Sequence, residues 1–384
     1  MSNDVNSDND LIFGRNISRF SPDSLEDILE HAHKVGASDL HIQSSEPIKI
    51  EKHGRLRPIT DRRLDINEVE NFIKKIYGDN AITEINKGGA IDKAIAVLNK
   101  FTNKKVRFRV NAVGILSRGG VDGLEITIRT IESVPPKLSS MALEKDIWDN
   151  FVPSQGLIIV TGPTGSGKST LLSSCIREIL ENPDPEQTKK IVTYEAPVEF
   201  VYDEVDKNNN IITQTEVGTH LKTWEQAIES AMRRKPNIIL IGESRDPETI
   251  RSSILASQTG HLVYTTAHTN GVAETIRRMV NVFDPEERSA LQYDLIDSLK
   301  MIVSQRLLKT VDGKRVAVRE FLNFTTEVKE RILSVDDNKV AQELRDIVKE
   351  KKQSLLHDSF RKYKDGRISD NEWQWAIRSF GGSK

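Results

Sequence analysis

The sequence predicts an α/β chain: a parallel sheet covered by helices around a nucleotide-binding loop, preceded by a strand-rich α+β domain and followed by C-terminal helices. Three observations carry this. From about residue 140 to 325, short continuous apolar runs alternate with helical stretches, the pattern of strands buried on both faces. Before them, apolar and polar residues alternate as in half-buried strands. Between the two patterns stands Pro135-Pro136, through which neither a helix nor an inner strand continues.

Residues 1–20 are dominated by Asn, Asp and Ser at their start. This is the opposite of a signal peptide, and the segment is expected to be a disordered tail. A first domain is expected over 21–133. Its opening helix starts at Ser21-Pro22-Asp23, carries Leu25, Ile28, Leu29, Ala32 and Val35 at helical spacing, and stops at Gly36. Leu40-His41-Ile42 and Ile48-Lys49-Ile50 alternate like strands, with a turn at His53-Gly54-Arg55. Residues 66–86 read as one helix. Arg107 to Val110 and Leu124 to Arg129 alternate again.

Residues 134–139 read as a stiff linker. The second domain, 140–325, contains the apolar runs Leu157 to Val160, Ile191 to Tyr194, Ile238 to Ile241 and His261 to Tyr264. Residues 326–384 read as a polar helical region in which Trp373 and Trp375 stand out.

Composition narrows the function classes. The chain has 384 residues, and its 55 basic side chains balance 57 acidic ones. No overall field draws it to nucleic acid or anionic lipid, so direct nucleic-acid binding is not expected. One cysteine, Cys175, excludes an internal disulfide and a cysteine-rich zinc site; on an apolar helix face it reads as a core residue. No run of 18 apolar residues offers a membrane span. A cytoplasmic protein is expected, brought to a membrane by partners.

Gly162-Pro163-Thr164-Gly165-Ser166-Gly167-Lys168-Ser169-Thr170 carries the strongest chemical signal. It follows an apolar strand and opens a helical run, Leu171 to Leu180, which is the context a phosphate-binding loop requires. The glycines let backbone amides close on phosphate oxygens, and the helix N-terminus adds partial positive charge. Lys168 is expected to reach the β- and γ-phosphates of ATP, and the Ser169 hydroxyl to hold Mg²⁺.

Glu243 ends the apolar run Ile238 to Ile241, where a carboxylate could orient or deprotonate an attacking water. No aspartate precedes it, so another acid must serve the metal. Glu195 and Glu199, in Tyr194-Glu195-Ala196-Pro197-Val198-Glu199, are candidates; a solvated strand end is the bland alternative. His261 and His268 bracket the run Leu262 to Thr266 and read as structural or as imidazoles near a γ-phosphate; no third ligand suggests a metal. Arg107, Arg109, Arg118 and Arg129 are either solvated strand residues or a source of fingers for a neighbouring subunit. Arg233-Arg234-Lys235-Pro236 lacks the interleaved aromatics of a nucleic-acid surface.

Taken in order, Gly36 to His41, Arg107 to Asn111, the phosphate loop, Glu195 to Glu199, Gly242 to Asp246 and Thr259 to Thr269 resemble the type II/type IV secretion ATPase family (the PilT, GspE and VirB-type ATPases) over about residues 25–310. Within it the pattern resembles the PilT branch, and there the DotB and TraJ ATPases of type IVB secretion and conjugation. The resemblance implies a PAS-like first domain, a RecA-like second domain, a homohexameric ring, ATP between the domains, and partners in an inner-membrane secretion or conjugation complex. It implies Lys168 and Ser169 as Walker A residues and Glu243 as the catalytic glutamate. Glu199 matches the metal-side acid, His261 and His268 the histidine motif, and Arg109, Arg118 and Arg129 the basic positions from which fingers come.

Three departures bear on function. Ala196 replaces an acid usual in the Glu195–Glu199 motif, which ranks Glu199 above Glu195. Arg234-Lys235-Pro236-Asn237 reverses the charge found there in retraction motors, and their Ala-Ile-Arg-Asn-Leu-Ile stretch has no match near Glu320 to Phe324. The missing cysteine quartet argues against the zinc-bearing assembly motors. Secretion or conjugation is therefore expected over pilus retraction. A DNA-translocating ring lacks its basic channel and stacking platform; a nucleotide-gated switch is the remaining alternative.

Overall fold

The computed structural model describes residues 12–13, 17–52, 55–98, 105–131 and 134–381. Most of the expected tail and the turn at His53-Gly54 lie outside the described residues. The chain divides into two compact units, Met1–Ser133 and Val134–Lys384.

The first unit packs three helices on one antiparallel sheet. Helix α1 (Ser24–Lys34) buries Leu25, Ile28, Leu29 and Ala32, and Gly36, at φ 73°, turns the chain after it. Strands β1 (Asp39–Gln43), β2 (Lys49–Lys52) and β3 (Arg55–Pro58) follow, then α2 (Ile66–Tyr77) and α3 (Ala81–Asn86). The single helix expected over 66–86 is thus two. Gly78, at φ 110°, ends α2, a conformation that lets the chain leave the helix without a Cβ clash. Strands β4 (Ile91–Leu98), β5 (Lys105–Ser117) and β6 (Val121–Ile131) complete the sheet in the order β3-β2-β1-β6-β5-β4. Phe108, Val110, Ala112, Ile126 and Ile128 alternate onto the buried face beneath the helices. The ordered unit begins earlier than position 21. Phe20 is buried in this core, and its N–H donates to Glu68 Oε1 at 2.7 Å. Phe13 N donates to Ile59 O.

The second unit opens with α4 (Lys145–Trp148) and β7 (Gly156–Thr161), then α5 (Lys168–Leu180), β8 (Lys190–Glu195), β9 (Ile211–Glu216), α6 (Trp224–Arg233) and β10 (Ile238–Ile241). After these come α7 (Pro247–Gln258), β11 (Leu262–Ala267), α8 (Val272–Asn281), α9 (Arg288–Ser298), β12 (Leu299–Lys309) and β13 (Arg315–Asn323). Helices α10 (Thr326–Leu333), α11 (Val340–Glu350), α12 (Leu355–Lys364) and α13 (Asp370–Phe380) end the chain. The seven strands run β13-β12-β7-β11-β10-β8-β9. All neighbours are parallel except the edge strand β13, antiparallel to β12. The expected parallel sheet therefore carries a reversed edge.

Every residue of β7 is buried because both faces are covered. Leu157 and Ile159 join a core with α6 to α11; Ile158 and Val160 join the opposite core, with Leu171, Cys175 and Ile176 of α5. Burying one such Leu, Ile or Val side chain contributes about 1.5–3 kcal/mol, and β7 has four. Residues beyond 325 are no separate appendage: Val328, Leu344 and Ile347 lie in the first of these cores. Helices α12 and α13 pack on Leu308 and Val318 of the β12–β13 edge.

Candidate active site

Parallel strands bring their C-terminal ends to one edge of the sheet, where β7, β8, β10 and β11 deliver the phosphate loop, Glu195, Glu243 and His268. Such an edge is where open α/β sheets bind ligands.

The loop is shaped by its glycines. Gly165 and Gly167 have φ of 76° and 81°, favourable only without a side chain. At Gly162 a Cβ would stand 2.5 Å from Gln305 O and from Ser166 Oγ, so β12 presses directly against the loop. Gly167 caps α5 with no side-chain hydrogen bond. The helix's first-turn N–H groups are left for a ligand rather than for the protein. Ser166 Oγ is buried with no hydrogen-bond partner, a second sign of a cradle built to be filled.

Lys168 is buried. Its ammonium donates to Gly162 O at 2.9 Å and Pro163 O at 3.1 Å, folding back on its own loop. Burial lowers its pKa, while the nearby Glu243 and Glu199 carboxylates pull it up. Those two acids are therefore within electrostatic reach of the ammonium.

His268 Nε2 lies 3.7 Å from Glu243 Oε1. Burial holds the imidazole pKa below its ordinary value and Lys168 depresses it further, against the pull of Glu243. Behind Glu243, Ser244 Oγ meets Ser253 Oγ and Thr265 Oγ1 at 3.0 and 2.8 Å. Thr266 Oγ1 donates to Gly242 O at 2.6 Å. These hydroxyl contacts fix the β10 end against β11.

At the β8 end, Glu195 Oε1 accepts from Thr193 Oγ1 at 2.7 Å. Burial nevertheless pushes the Glu195 pKa up to about 7, so the buried carboxyl keeps a proton for much of the time near neutral pH, which suits a structural role better than a metal ligand. The peptide Ala196-Pro197 is cis. Val198 N then donates to Glu216 Oε2 at 3.1 Å, holding the turn that carries Glu199. Among the described residues there is no cluster of three or more His, Cys, Asp and Glu able to hold a metal. Ser169 and Glu199 offer one hydroxyl and one carboxylate. That set fits a hard cation whose remaining ligands are nucleotide oxygens and water.

The structure separates His261 from this group. It sits just before β11, whereas His268 follows the strand's far end, roughly 23 Å away at about 3.3 Å per residue. His261 Nδ1 instead lies 3.2 Å from Ala256 O and secures the turn after α7. Within this unit His261 does not join the Glu243 site.

The arginines also divide. Arg109 and Arg129 are direct cross-strand neighbours on β5 and β6. Arg109 makes a two-pronged contact with Asp92, at 3.1 and 2.7 Å; Arg129 Nε donates to Asp39 Oδ1 at 2.7 Å. The result is an Asp92–Arg109–Arg129–Asp39 ladder across four strands, on the face opposite the helices. Arg118 is exposed in the β5–β6 turn, roughly 30 Å further along the hairpin.

Sequence reasoning missed the groups that brace the loop from behind. Thr161, Thr269 and Thr275 share a buried hydroxyl chain; Thr269 N donates to Thr161 Oγ1 at 3.0 Å, and Thr269 Oγ1 meets Thr275 Oγ1 at 2.6 Å. Gln305 Nε2 donates to Ser166 O at 2.7 Å. Arg306 donates to Asn270 Oδ1 at 2.8 Å, and its charge also depresses Lys168. No local motif marks these residues, because the contacts that tie them to the loop, Thr161 to Thr269 and Gln305 to Ser166, join positions more than a hundred residues apart.

Comparison with known proteins agrees with this geometry. The family model described as type II/IV secretion system protein matches residues 18–315. The type IV pilus retraction ATPase PilT of Pseudomonas aeruginosa is 35% identical over 318 residues, 83% of this chain and 87% of that protein. The crystal structure of the Legionella pneumophila ATPase DotB is 42% identical and superposes with a TM-score of 0.85, covering 95% of this chain and 98% of that one. The pilus retraction motor PilT with bound ADP is 28% identical, with a TM-score of 0.77 over 92% of this chain and 96% of that one.

Proposed function

The chain belongs to the type II/IV secretion system protein family of P-loop ATPases, and from that premise we propose that it drives a type IVB-like secretion or conjugative transfer machine as a homohexameric ring. It is a nucleotide-binding secretion or pilus ATPase that hydrolyses ATP. No described helix is long and apolar enough to cross a membrane. In this reading the ring works at the cytoplasmic face, recruited by inner-membrane proteins of the machine.

The observation that carries the reading is the convergence of Glu243 and Glu199 on Lys168, whose ammonium feels both carboxylate charges at one sheet edge. On binding ATP, the Lys168 ammonium exchanges its two loop carbonyls for β- and γ-phosphate oxygens. Backbone N–H groups of Gly165 to Thr170 close on the same phosphates. Glu243 orients the attacking water and accepts its proton. His268, kept neutral, leaves the Glu243 charge uncompensated for that task. Mg²⁺, when bound, neutralises charge on the phosphates; Ser169 Oγ would hold it directly and Glu199 through water. Arg109, Arg118 and Arg129 are the candidate fingers, for a phosphate on a neighbouring subunit. Identity to DotB of 42%, against 28% for the ADP-bound PilT structure, supports secretion over retraction. The 35% identity to the Pseudomonas PilT keeps pilus retraction as the second reading.

The test is phosphate release by wild type and Glu243→Gln, each passed through a sizing column with ATP and Mg²⁺. Turnover lost in the variant, with both proteins near six subunits, supports the ring motor. A monomer, or a fully active variant, sinks the ring or the role of Glu243 respectively.

A further inference from the structure

Arg319 is fully buried in the core shared with α5, and none of the roles above uses it. On β13 it pairs directly with Gln305 of β12. Its Nε donates to Gln305 Oε1 at 2.8 Å. Its Nη1 donates to Ala142 O at 3.2 Å and Glu144 Oε2 at 3.0 Å, and its Nη2 to Met141 O at 3.1 Å. Its backbone N–H donates to Asp358 Oδ2 of α12 at 2.9 Å, and Lys362 stands 3.6 Å from Glu144 and 3.5 Å from Asp358.

The Gln305 amide has only one workable orientation here. A guanidinium only donates and a carbonyl only accepts, so Oε1 must face Arg319 and Nε2 must face Ser166 O, as observed. The chain of contacts runs from Met141–Glu144 through Arg319 and Gln305 to the backbone of the phosphate loop. A second contact runs beside it: Arg177 of α5 donates to Pro135 O at 2.6 Å. The stretch from Pro135 to Glu144 is therefore held at both ends by groups fixed to the nucleotide-binding apparatus.

Stability alone does not call for this arrangement. Desolvating a guanidinium costs several kcal/mol, and well-packed apolar residues at such sites are often as stable or more so. What the planar, many-pronged arginine adds is fixed geometry among groups it touches at once. We propose that Arg319 is a positioning residue that couples nucleotide occupancy of the phosphate loop to the conformation of the Pro135–Glu144 segment. This rests on the reading of Gly162 to Thr170 as the nucleotide site. It adds a route by which that site's state reaches the chain following the double proline. Coupling is reciprocal: whatever displaces Met141–Glu144 changes nucleotide affinity by the factor with which nucleotide resists the displacement.

The experiment measures ADP affinity, and hydrogen exchange of a peptide covering Met141–Glu144, in full-length wild type, Gln305→Met, Glu144→Ala and the double variant. The proposal expects ADP to slow exchange of that peptide in wild type and not in Gln305→Met. It expects ADP affinity to fall about tenfold in Gln305→Met, and Glu144→Ala to add less than about twofold in that background although it weakens ADP on its own. Wild type that binds ADP without protecting the peptide, or single-variant effects that simply multiply, overturns the coupling and leaves Gln305 and Glu144 as independent supports. Wild type that binds no ADP overturns the nucleotide site itself and the coupling with it. Should Gln305→Met not fold, the wild-type exchange difference and the Glu144→Ala affinity decide the matter. Arg319→Lys, which keeps the charge and loses the fork, is expected to reproduce the lost protection.

Discussion

His268 Nε2 stands 3.7 Å from Glu243 Oε1, too far for a hydrogen bond, and burial disfavours the charged imidazole that would make the contact an ion pair. The two residues are neighbours without being partners. Glu243 thus keeps its carboxylate for a water rather than spending it on a cation. Replacing it with Gln is expected to lower kcat by about a hundredfold or more, with ADP affinity changed little. Steady-state phosphate release and nucleotide titration check this; an equal loss in both would make Glu243 a binding residue.

The same pair gives a titration prediction. Free histidine titrates near 6.5, and His268 is held lower, by burial first and then by Lys168. Its neutral form is favoured in the folded protein, so the associated stability is complete above pH 6.5 and declines as pH falls below it. Glu243 pulls the other way, so Glu243→Gln is expected to move the midpoint further down. An NMR titration, with His268→Gln to assign the signal, measures both; an upward move on Glu243→Gln would contradict the arrangement.

Glu195 predicts the opposite slope. Its pKa rises from 4.5 to about 7 on folding, chiefly through burial. Between those values the unfolded chain has released a proton that the folded chain retains, so this residue's contribution falls as pH rises and is constant above the window. The shift corresponds to at most about 3 kcal/mol. Glu195→Gln removes the dependence. Its melting temperature is expected to gain on wild type by several degrees between pH 5 and pH 8; a constant difference across that range would refute the assignment.

At Gly162 the backbone has φ of 151° and an added Cβ would meet Gln305 O at 2.5 Å. Gly162→Ala must push β12 away from the loop or distort the turn. A loss of about 1–3 kcal/mol in stability is expected, together with weaker ADP binding, because the strain falls on the phosphate cradle. Thermal melting with and without ADP separates the two effects.

Legibility in the sequence followed sequence distance. The strand, loop and helix from Gly156 to Leu180 are one local unit with its own glycine and apolar code, and so they were readable. Glu243 was readable because β10 is a bare apolar run ending at an acid. The break at Gly78 was hidden because apolar residues continue at helical spacing through Ala81 and Ile85. Strands β12 and β13 were hidden among polar residues such as Gln305, Arg306 and Arg319, which break the apolar runs used to find the other strands. Those polar residues are the ones that brace the loop. The pairing of His261 with His268 failed for a geometric reason: an extended strand separates residues that a list of motifs sets side by side.

The ladder of Asp92, Arg109, Arg129 and Asp39 has a consequence for any finger drawn from it. Neither arginine waits as a bare charge; each already holds a carboxylate. Reaching a phosphate is then a change of anion, in which Asp92 or Asp39 is released as the phosphate arrives. The departing carboxylate recovers water, which offsets part of what the arginine loses. A finger built this way is reversible by design. Such a finger would let go of a departed phosphate with an aspartate beside it to take the arginine back.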